Sequence, residues 1–280
     1  MASIIRAIEK RRSVRTYDDT PLSNEEKRRI EEVIEKPLSC PFGNKSRFCT
    51  IDMSEIDKRE ARGLGTYGFI KGATLFIIGA AEKHHRALED FGYHLEKIIL
   101  ELTVMGFGTC WMGGTFNRAN FARRISIREN ELLPAITPVG YPLNRRSLRE
   151  NLIRLAASAR KRKPWEGLFS LGDVEHPLER ESAGRYQIPL EMVRIGPSAS
   201  NRQPWRIVKE QTGEVFHFYL RRTKGYGKIV PEVSLQNIDM GIAMCHFEFS
   251  AGELGLNGRW IEREPEDKPP GMEYIVSWVG

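Results

Sequence analysis

Three arginines and a serine near the start of the chain have the residue types and the spacing of a phosphate-binding segment. Arg11, Ser13 and Arg15 alternate along the chain, and Arg12 lies between the first two. Residues two apart lie on one face of an extended segment, so these three side chains would point in the same direction. Guanidinium groups bind phosphate oxygens through paired donors, which isolated ammonium groups cannot match. The segment therefore predicts a site for a phosphorylated ligand.

Basic residues recur twice more, at positions 145, 146 and 149 and in the run 160–163. Arg160 and Arg162 again alternate, just before Pro164, and could close the same phosphate site; solvent-exposed surface charge explains this pair equally well. The formal net charge of +6 is mild for 280 residues, and no aromatic side chains interleave with the basic clusters as in a base-stacking surface. The clusters therefore favour a small phosphorylated ligand over a nucleic acid.

Two further segments offer uncharged contacts to a ligand. Gly113 and Gly114 lack side chains, so the backbone there can come close to a ligand. The polar loop 196–205 carries hydrogen-bonding side chains, which are Ser198, Ser200, Asn201 and Gln203. An unoccupied turn is a weaker interpretation of this loop, because a Pro-Trp step would then have little reason to end it.

Dinucleotide and metal sites are not predicted. Residues 63–68 fit Gly-x-Gly-x-x-Gly, but that fingerprint follows a strand, whereas here it precedes one. His84 and His85 lack the spacing of a helical metal pair, and His94 and His246 have no accompanying acidic cluster or cysteine pair. The four cysteines form no Cys-x-x-Cys pair, which indicates free thiols in a reducing cytoplasm. Without a secretory segment or an apolar run of about 18 residues, we expect neither export nor a membrane span.

One spacing occurs twice in the chain. An aspartate is followed by glycine after 2 residues, glycine after 16 and tryptophan after 21, starting at Asp90 and again at Asp239. In each copy the stretch between the markers reads as a long, mostly apolar helix. Such self-similarity indicates a duplicated unit, and two copies 149 residues apart are too few and too long for a solenoid. The chain therefore reads as a fused dimer of two halves; coincidence between two helices that end in glycine is the weaker alternative.

Hydrophobic periodicity predicts mixed helices and strands. In the first half, helices are predicted at 3–11, after the capping box of Ser23 and Glu26, from Asp90, and at 148–159, with strands at 73–81 and 135–140. In the second half, the prediction is a helix at 188–195, strands at 206–209, 215–220 and 274–279, and the repeated helix from Asp239. The predicted halves are residues 1–169 and 186–280, joined by a polar linker at 170–185.

Three segments resemble signatures of the FMN-dependent nitroreductases. Residues 11–17, Arg-Arg-Ser-Val-Arg-Thr-Tyr after a short helix, look like the N-terminal signature. Residues 196–205 are similar to the family's Pro-Ser-x-x-Asn-x-Gln-Pro-Trp. Residues 106–114, Gly-Phe-Gly-Thr-Cys-Trp-Met-Gly-Gly, resemble the third, and Gly-Tyr-Pro follows at 140–142. Together these segments imply an α+β nitroreductase-like fold, a β-sheet flanked by helices.

The order of the segments differs from that in an ordinary family member. There, the Pro-Ser-x-x-Asn element soon follows Arg-Arg-Ser, whereas here it comes about 185 residues later. In the family, a homodimer builds two flavin sites at its interface, each from both subunits. Here the first half keeps Arg-Arg-Ser but has a degenerate loop at 37–44, and the second half keeps the loop but has lost the glycine pair at 255–258. The resemblance therefore implies a single-chain pseudo-dimer with one complete site and one decayed site.

The resemblance also implies roles for the candidate residues. Arg11 and Ser13 would hold the FMN phosphate, and Arg15 would approach the N1/O2 edge of the ring, where a cation stabilises negative charge on the reduced ring. The backbone at Gly113 would approach the ring N5. The complete predicted set of FMN-binding residues is Arg11, Arg12, Ser13, Arg15, Met112, Gly113, Gly114, Arg160, Arg162, Pro197, Ser198, Ala199, Ser200, Asn201 and Gln203.

The implied function is FMN-dependent oxidoreduction, in which NAD(P)H supplies electrons to nitroaromatics, quinones or similar electron-poor acceptors by a ping-pong route. The flavin carries this chemistry, so no catalytic acid or base side chain is predicted. Two alternatives stay open: a flavin-binding protein without turnover, and a flavin oxidoreductase with a different acceptor. We expect a small-molecule acceptor, no nucleic-acid or membrane partner, no metal, and activity as a single chain or a weak homo-oligomer.

Overall fold

The structure is a computed structural model that describes residues 3–57, 63–143, 161–226, 232–266 and 268–280. Its first part contains α1 (Ile4–Lys10), α2 (Asn24–Glu35), β1 (Ser46–Asp52), β2 (Leu75–Glu82), α3 (Ala87–Val104), β3 (Gly108–Thr109), α4 (Arg118–Arg124), β4 (Glu131–Leu132) and β5 (Ile136–Gly140). Its second part contains β6 (Phe169–Leu171), α5 (Gln187–Ile195), β7 (Trp205–Lys209), β8 (Val215–Leu220), α6 (Leu235–Glu253), β9 (Arg259–Ile261) and β10 (Glu273–Val279). Short 3-10 turns lie at Trp165–Gly167, Glu181–Tyr186 and Ala199–Asn201.

The first sheet has the antiparallel order β1-β2-β5-β3, with β4 also paired to β2. Its central strand β2 is buried on both faces because successive side chains enter different cores. Leu75 and Ile77 join a cluster with α2 and α3, while Phe76 and Ile78 join a cluster around Phe121 of α4. This double burial explains why the strand reads as a continuous apolar run instead of an alternating one.

The second sheet has the order β6-β7-β8-β10-β9, in which β6 is parallel to β7 and the other pairs are antiparallel. The β6 strand, Phe169–Leu171, was placed at the border between the first half and the linker, and it is an edge strand of this second sheet. The sheet packs on α5 and α6 around Phe218 and Phe247. No helix among the described residues is long and apolar enough to cross a membrane.

The two long helices, α3 and α6, cross in direct backbone contact at the duplicated glycines. A Cβ atom on Gly92 would lie 2.2 Å from the carbonyl oxygen of Ile238, and one on Gly241 would lie 1.8 Å from that of Glu89. Both distances are far below van der Waals contact, so only glycine allows this separation of the helix axes. Equivalent positions of the repeat therefore meet each other, as expected for a pseudo-two-fold axis.

Most predicted elements are confirmed, including the capping box in which Ser23 and Glu26 bond each other's backbone N–H. Helix α3 begins at Ala87, three residues before the predicted start, because its first turn is buried against α6. Strand β1 was missed: its side chains are mostly half-buried and do not alternate clearly, and pairing to β2 over seven residues defines it. Helix α4 was also missed. The basic helix predicted at 148–159 lies outside the described residues.

Substitution of Gly241 by alanine tests the helix crossing. We expect Gly241→Ala to lower the free energy of unfolding by about 3 kcal/mol, because the added methyl group forces the two helices apart. Gly252→Ala is the matched control on the same helix, since an added Cβ there meets nothing within 4 Å. That substitution should stabilise the protein by roughly 0.5–1 kcal/mol through helix propensity. Urea denaturation measures both values, and equal effects of the two substitutions would contradict the close crossing.

Candidate active site

One cavity of about 510 Å³ lies where the two halves meet. Its walls are the segment 11–15, the turn at 110–115, the loop 197–201, and one face of α6. The size is that of an ordinary small-molecule or cofactor site. The cavity brings together most of the predicted residues, which are Arg11, Arg12, Ser13, Arg15, Met112, Gly113, Gly114, Arg162, Pro197, Ser198, Ala199, Ser200 and Asn201.

The arginine segment is held extended against the edge of the first sheet. Ser13 forms a parallel bridge with Thr109, and the Val14 N–H donates to the Thr109 carbonyl at 2.8 Å. Val14 is buried against Gly108, which has no side chain to obstruct it. Because alternate residues of an extended segment face opposite ways, burial of Val14 leaves Ser13 and Arg15 to line the cavity together with Arg11.

One end of the cavity concentrates positive charge. The Nη2 of Arg162 donates to the carbonyl of Ile195 at 2.8 Å, and its Nη1 donates to Oδ1 of Asn201. Burial, together with the neighbouring guanidinium groups of Arg11 and Arg194, lowers the pKa of Arg162 to about 10. Two buried cations that repel each other would be stabilised by an anion placed between them. This end of the cavity is therefore suited to a phosphate.

The glycine turn is fixed by backbone pairing on both sides. Met112 and Ile136 exchange N–H and carbonyl hydrogen bonds of 3.0 Å. The guanidinium of Arg118 donates to the carbonyl of Gly113 and, at 2.9 Å, to that of Leu133. A Cβ on Gly113 would lie 2.5 Å from the end of the Leu235 side chain on α6. The missing side chain thus allows Leu235 to pack closely against the turn beside the cavity.

The loop from the second half is held by hydrogen bonds to α6 and within itself. The N–H of Ala199 donates to Oδ1 of Asp239 at 2.9 Å, and the N–H of Gln203 donates to Oγ of Ser198 at 2.9 Å. The hydroxyl of Tyr226 donates to Oγ of Ser200, also at 2.9 Å. Left-handed φ angles near +50° occur at Ser200, Asn201 and Gln203. Such angles cost energy in residues other than glycine, so these contacts maintain a strained loop.

Two predicted residues are not among those that line the cavity. Gln203 is fully buried, where its Oε1 accepts from the N–H of Lys163 at 2.6 Å and its Nε2 donates to the Arg194 carbonyl at 2.7 Å. It therefore fixes the base of the loop. Arg160 lies outside the described residues. Asn201 does line the cavity, but its side chain is bonded to Arg162 and to the Lys161 carbonyl, which places it near the phosphate end.

The sequence interpretation missed several residues of the cavity wall, which are Phe69, Ile70, Tyr226, Leu235, Ile238, Asp239 and Ile242. Leu235, Ile238 and Ile242 recur at helical spacing on one face of α6. That helix is apolar nearly all round, so periodicity could not show which face lines a cavity. For Asp239 the sequence did offer a signal, because it is the aspartate of the repeated spacing and lies on a mostly apolar helix. A carboxylate buried on such a helix requires hydrogen-bond donors close by.

Comparison with known proteins identifies the family of this fold. The family model described as "Putative TM nitroreductase" matches residues 3–251. The chain belongs to this family. A putative nitroreductase from Thermotoga maritima is similar in structure, with a TM-score of 0.63 and 25% identity over 99% of this chain and 94% of that chain. No functionally curated protein matched the sequence.

Other nitroreductases are similar over about half of this chain. An FMN-dependent nitroreductase from Clostridium difficile has a TM-score of 0.41 and 23% identity over 50% of this chain and 88% of its own. A nitroreductase with bound FMN from Bacteroides fragilis has a TM-score of 0.39 and 20% identity over 53% of this chain and 92% of its own.

The two halves of this nitroreductase-family chain treat the duplicated aspartates differently. Asp90 accepts from the N–H groups of Phe42 (3.0 Å) and Asn44 (2.8 Å) and from the Asn44 amide (3.1 Å). Asp239 accepts from Ala199 alone, and its buried Oδ2 has no hydrogen-bond partner among the described residues. Burial raises the pKa of Asp90 to about 6 and that of Asp239 to about 8. Asp239 is therefore mostly neutral at pH 7.

The pH dependence of stability tests the neutral state of Asp239. Its folded pKa of about 8 lies above the unfolded value near 3.9, so the native state holds the extra proton between these values. The contribution of this group to stability is complete below about pH 4 and is lost as the pH rises towards 8, by at most roughly 1.4 kcal/mol per pH unit. Asp239→Asn mimics the neutral form, so its stability relative to the unsubstituted protein should rise from about pH 5 to pH 8.

Asp90→Asn is the control for this prediction. Oδ2 of Asp90 accepts from two donors of Asn44, and an amide nitrogen cannot replace it. That variant should therefore be less stable at every pH, as measured by urea denaturation. A stability difference between Asp239→Asn and the unsubstituted protein that does not change with pH would show that Asp239 is ionised when buried.

Proposed function

We propose that the protein binds FMN in this cavity and uses NAD(P)H to reduce small electron-poor molecules, such as nitroaromatics or quinones, by a ping-pong route. The convergence of buried Arg11 and Arg162 at one end of the cavity carries this proposal. When bound, the flavin supplies the hydride chemistry, and the protein binds, orients and shields it.

The phosphate end fits the charge of FMN. Paired guanidinium groups match the geometry of a phosphate dianion, and Ser13 adds a hydroxyl donor on the same wall. The repulsion that lowers the pKa of Arg162 would be relieved by that anion. This favours a phosphorylated flavin over riboflavin as the ligand.

The apolar part of the cavity wall fits an aromatic ring system. Apolar side chains from both halves supply its walls, which are Phe69, Ile70, Met112, Leu235, Ile238 and Ile242. Arg15 lies along the same wall as Ser13, one pleat further from Arg11. A cation there would stabilise negative charge that develops on a reduced ring without a proton transfer from the protein.

Flavin binding without turnover is the alternative of a different class, and an oxidoreductase with another acceptor is the alternative within enzymes. Addition of NADH or NADPH without oxygen should bleach the visible flavin absorbance, and a nitroaromatic or quinone should restore it. A pure flavin-binding protein would keep its absorbance after nucleotide addition.

The four cysteines, all within the described residues, form no disulfide, which supports a reducing, cytoplasmic location.

The internal duplication predicts one FMN per chain, held by the monomer. In the other half, the rings of Trp278 and Phe218 pack on Trp260 at 5.0 and 5.1 Å, and a Cβ on Gly258 would lie 2.5 Å from Trp278. Aromatic rings thus pack closely around Trp260, the counterpart of Trp111 in the repeat. Titration of the flavin-free protein, with light scattering to measure mass, should reach one FMN per monomer. A limit of two, or loss of flavin on dilution to monomer, would contradict the decayed second site.

Two arginine substitutions separate the phosphate end from the ring end. Arg11→Ala removes a charge-assisted contact to phosphate, so FMN binding should weaken by about 1.5–3 kcal/mol while riboflavin binding stays nearly unchanged. Arg15→Ala is the matched control from the same segment and should weaken both ligands alike, because both carry the ring. Fluorescence titration measures the four affinities. If Arg11→Ala keeps the preference for FMN over riboflavin, Arg11 does not bind the phosphate.

A further inference from the structure

Glu96 of α3 is a fully buried carboxylate that joins both halves of the protein beneath the cavity. Its Oε1 lies 2.8 Å from Nε2 of His246 on α6 and 3.7 Å from Nε of Arg11. Its Oε2 accepts from the indole N–H of Trp111 at 2.5 Å. The side chains of Glu96 and His246 are both 0% exposed, so water cannot replace these contacts.

The contacts of His246 fix the position of its protons. Its Nδ1 lies 2.9 Å from the carbonyl oxygen of Met192, which can only accept, so Nδ1 carries a proton. The 2.8 Å contact between Nε2 and Glu96 Oε1 therefore holds one further proton, on the ring or on the carboxyl. With the proton in either place, the pair has no net charge, and Oε1 remains the acceptor nearest to the Arg11 Nε.

The other half contains a similar arrangement without an arginine, built from a glutamate at a different position of the repeat. Glu248 of α6 accepts from the hydroxyl of Tyr93 on α3 and from the indole N–H of Trp260, both at 2.6 Å. Each long helix thus carries a glutamate that holds the tryptophan of its own half and a side chain of the opposite helix. In the described part of the chain, the ion pair with an arginine occurs at Glu96 and not at Glu248. The ion pair with an arginine is thus found beside the cavity that is proposed to bind FMN.

We propose that Glu96 and His246 are positioning residues for the phosphate anchor: they hold the Arg11 guanidinium towards the cavity through the shared oxygen Oε1. This inference rests on the proposed binding of FMN. The Nε of Arg11 is buried and has no hydrogen-bond partner in the described structure, so the ion pair with Glu96 is the contact that orients this end of the guanidinium. Its terminal nitrogens are then left for a phosphate.

Glu96→Gln tests the proposal with little change in packing. The amide oxygen can still accept from Trp111, and the amide nitrogen can donate to Nε2 of a neutral His246. Only the acceptor that faces Arg11 is lost. Because the pair is neutral before and after the change, the net charge of the site is unaltered. We expect FMN affinity to fall about tenfold and riboflavin affinity to stay within about twofold.

Glu248→Gln is the matched control, since it makes the same chemical change in the half without the arginine. Its melting temperature should shift about as much as that of Glu96→Gln, and its preference for FMN over riboflavin should be unchanged. His246→Gln provides a second route if Glu96→Gln folds poorly. It should also lower the FMN-to-riboflavin preference, and the double variant should lose no more than the weaker-binding single variant, because both act through Arg11.

The outcomes separate this inference from the proposed function. If the unsubstituted protein binds no flavin, the proposed function fails. If it prefers FMN to riboflavin and Glu96→Gln keeps that preference, the positioning role of Glu96 is wrong while the function stands. Equal loss of FMN and riboflavin in Glu96→Gln would likewise overturn the role, because a structural defect lowers both affinities together.

Discussion

The close crossing of α3 and α6 at Gly92 and Gly241 is the constraint on which the rest of the structure depends. Backbone contact at these glycines sets the distance between the two halves, and each helix then presents its next turn to the partner helix. Glu96, one turn beyond Gly92, thereby reaches His246 of α6. A bulkier residue at the crossing would separate the helices and open the cavity between the halves. The crossing is thus a stability feature and a condition for the site.

The close crossing of the helices buries two carboxylates, and each of them accepts hydrogen bonds from a neighbouring loop. Asp90 and Asp239 each lie two residues before a crossing glycine, so each carboxylate is removed from water beside the seam. In one half, backbone and side-chain donors satisfy both oxygens. In the other half, the loop from Pro197 adopts left-handed angles, and Asn201 bonds Arg162, while one oxygen of Asp239 has no donor among the described residues. The strained loop and the unsatisfied group therefore both lie at the cavity, and strain of this kind is typical of functional sites.

Much of the fold and most of the cavity could be predicted from the sequence because the relevant patterns are local. The capping box at Ser23, the apolar run of β2 and the alternation of Arg11, Ser13 and Arg15 each depend on neighbours in the chain. Strand β1 depends on its partner strand, and the role of Gln203 depends on Lys163 and Arg194, which no spacing reveals. Helix α6 was recognised, but its cavity-lining face was not, because burial on nearly every side removes the polar stripe that orients a surface helix.

The proposed fusion of two halves in one chain explains how two flavin sites could become unequal. In a homodimer, one gene encodes both interface surfaces, so a substitution that fills one site fills the other. In the fused chain, Trp260 can pack among aromatic rings while its counterpart Trp111 lines the cavity. Glu248 holds Tyr93, whereas Glu96 holds His246 and pairs with Arg11, and these two glutamates lie at different positions of the repeat. A substitution in one half of the fused chain does not change the other half. The second half can therefore pack for stability while the shared cavity retains its charged and strained groups.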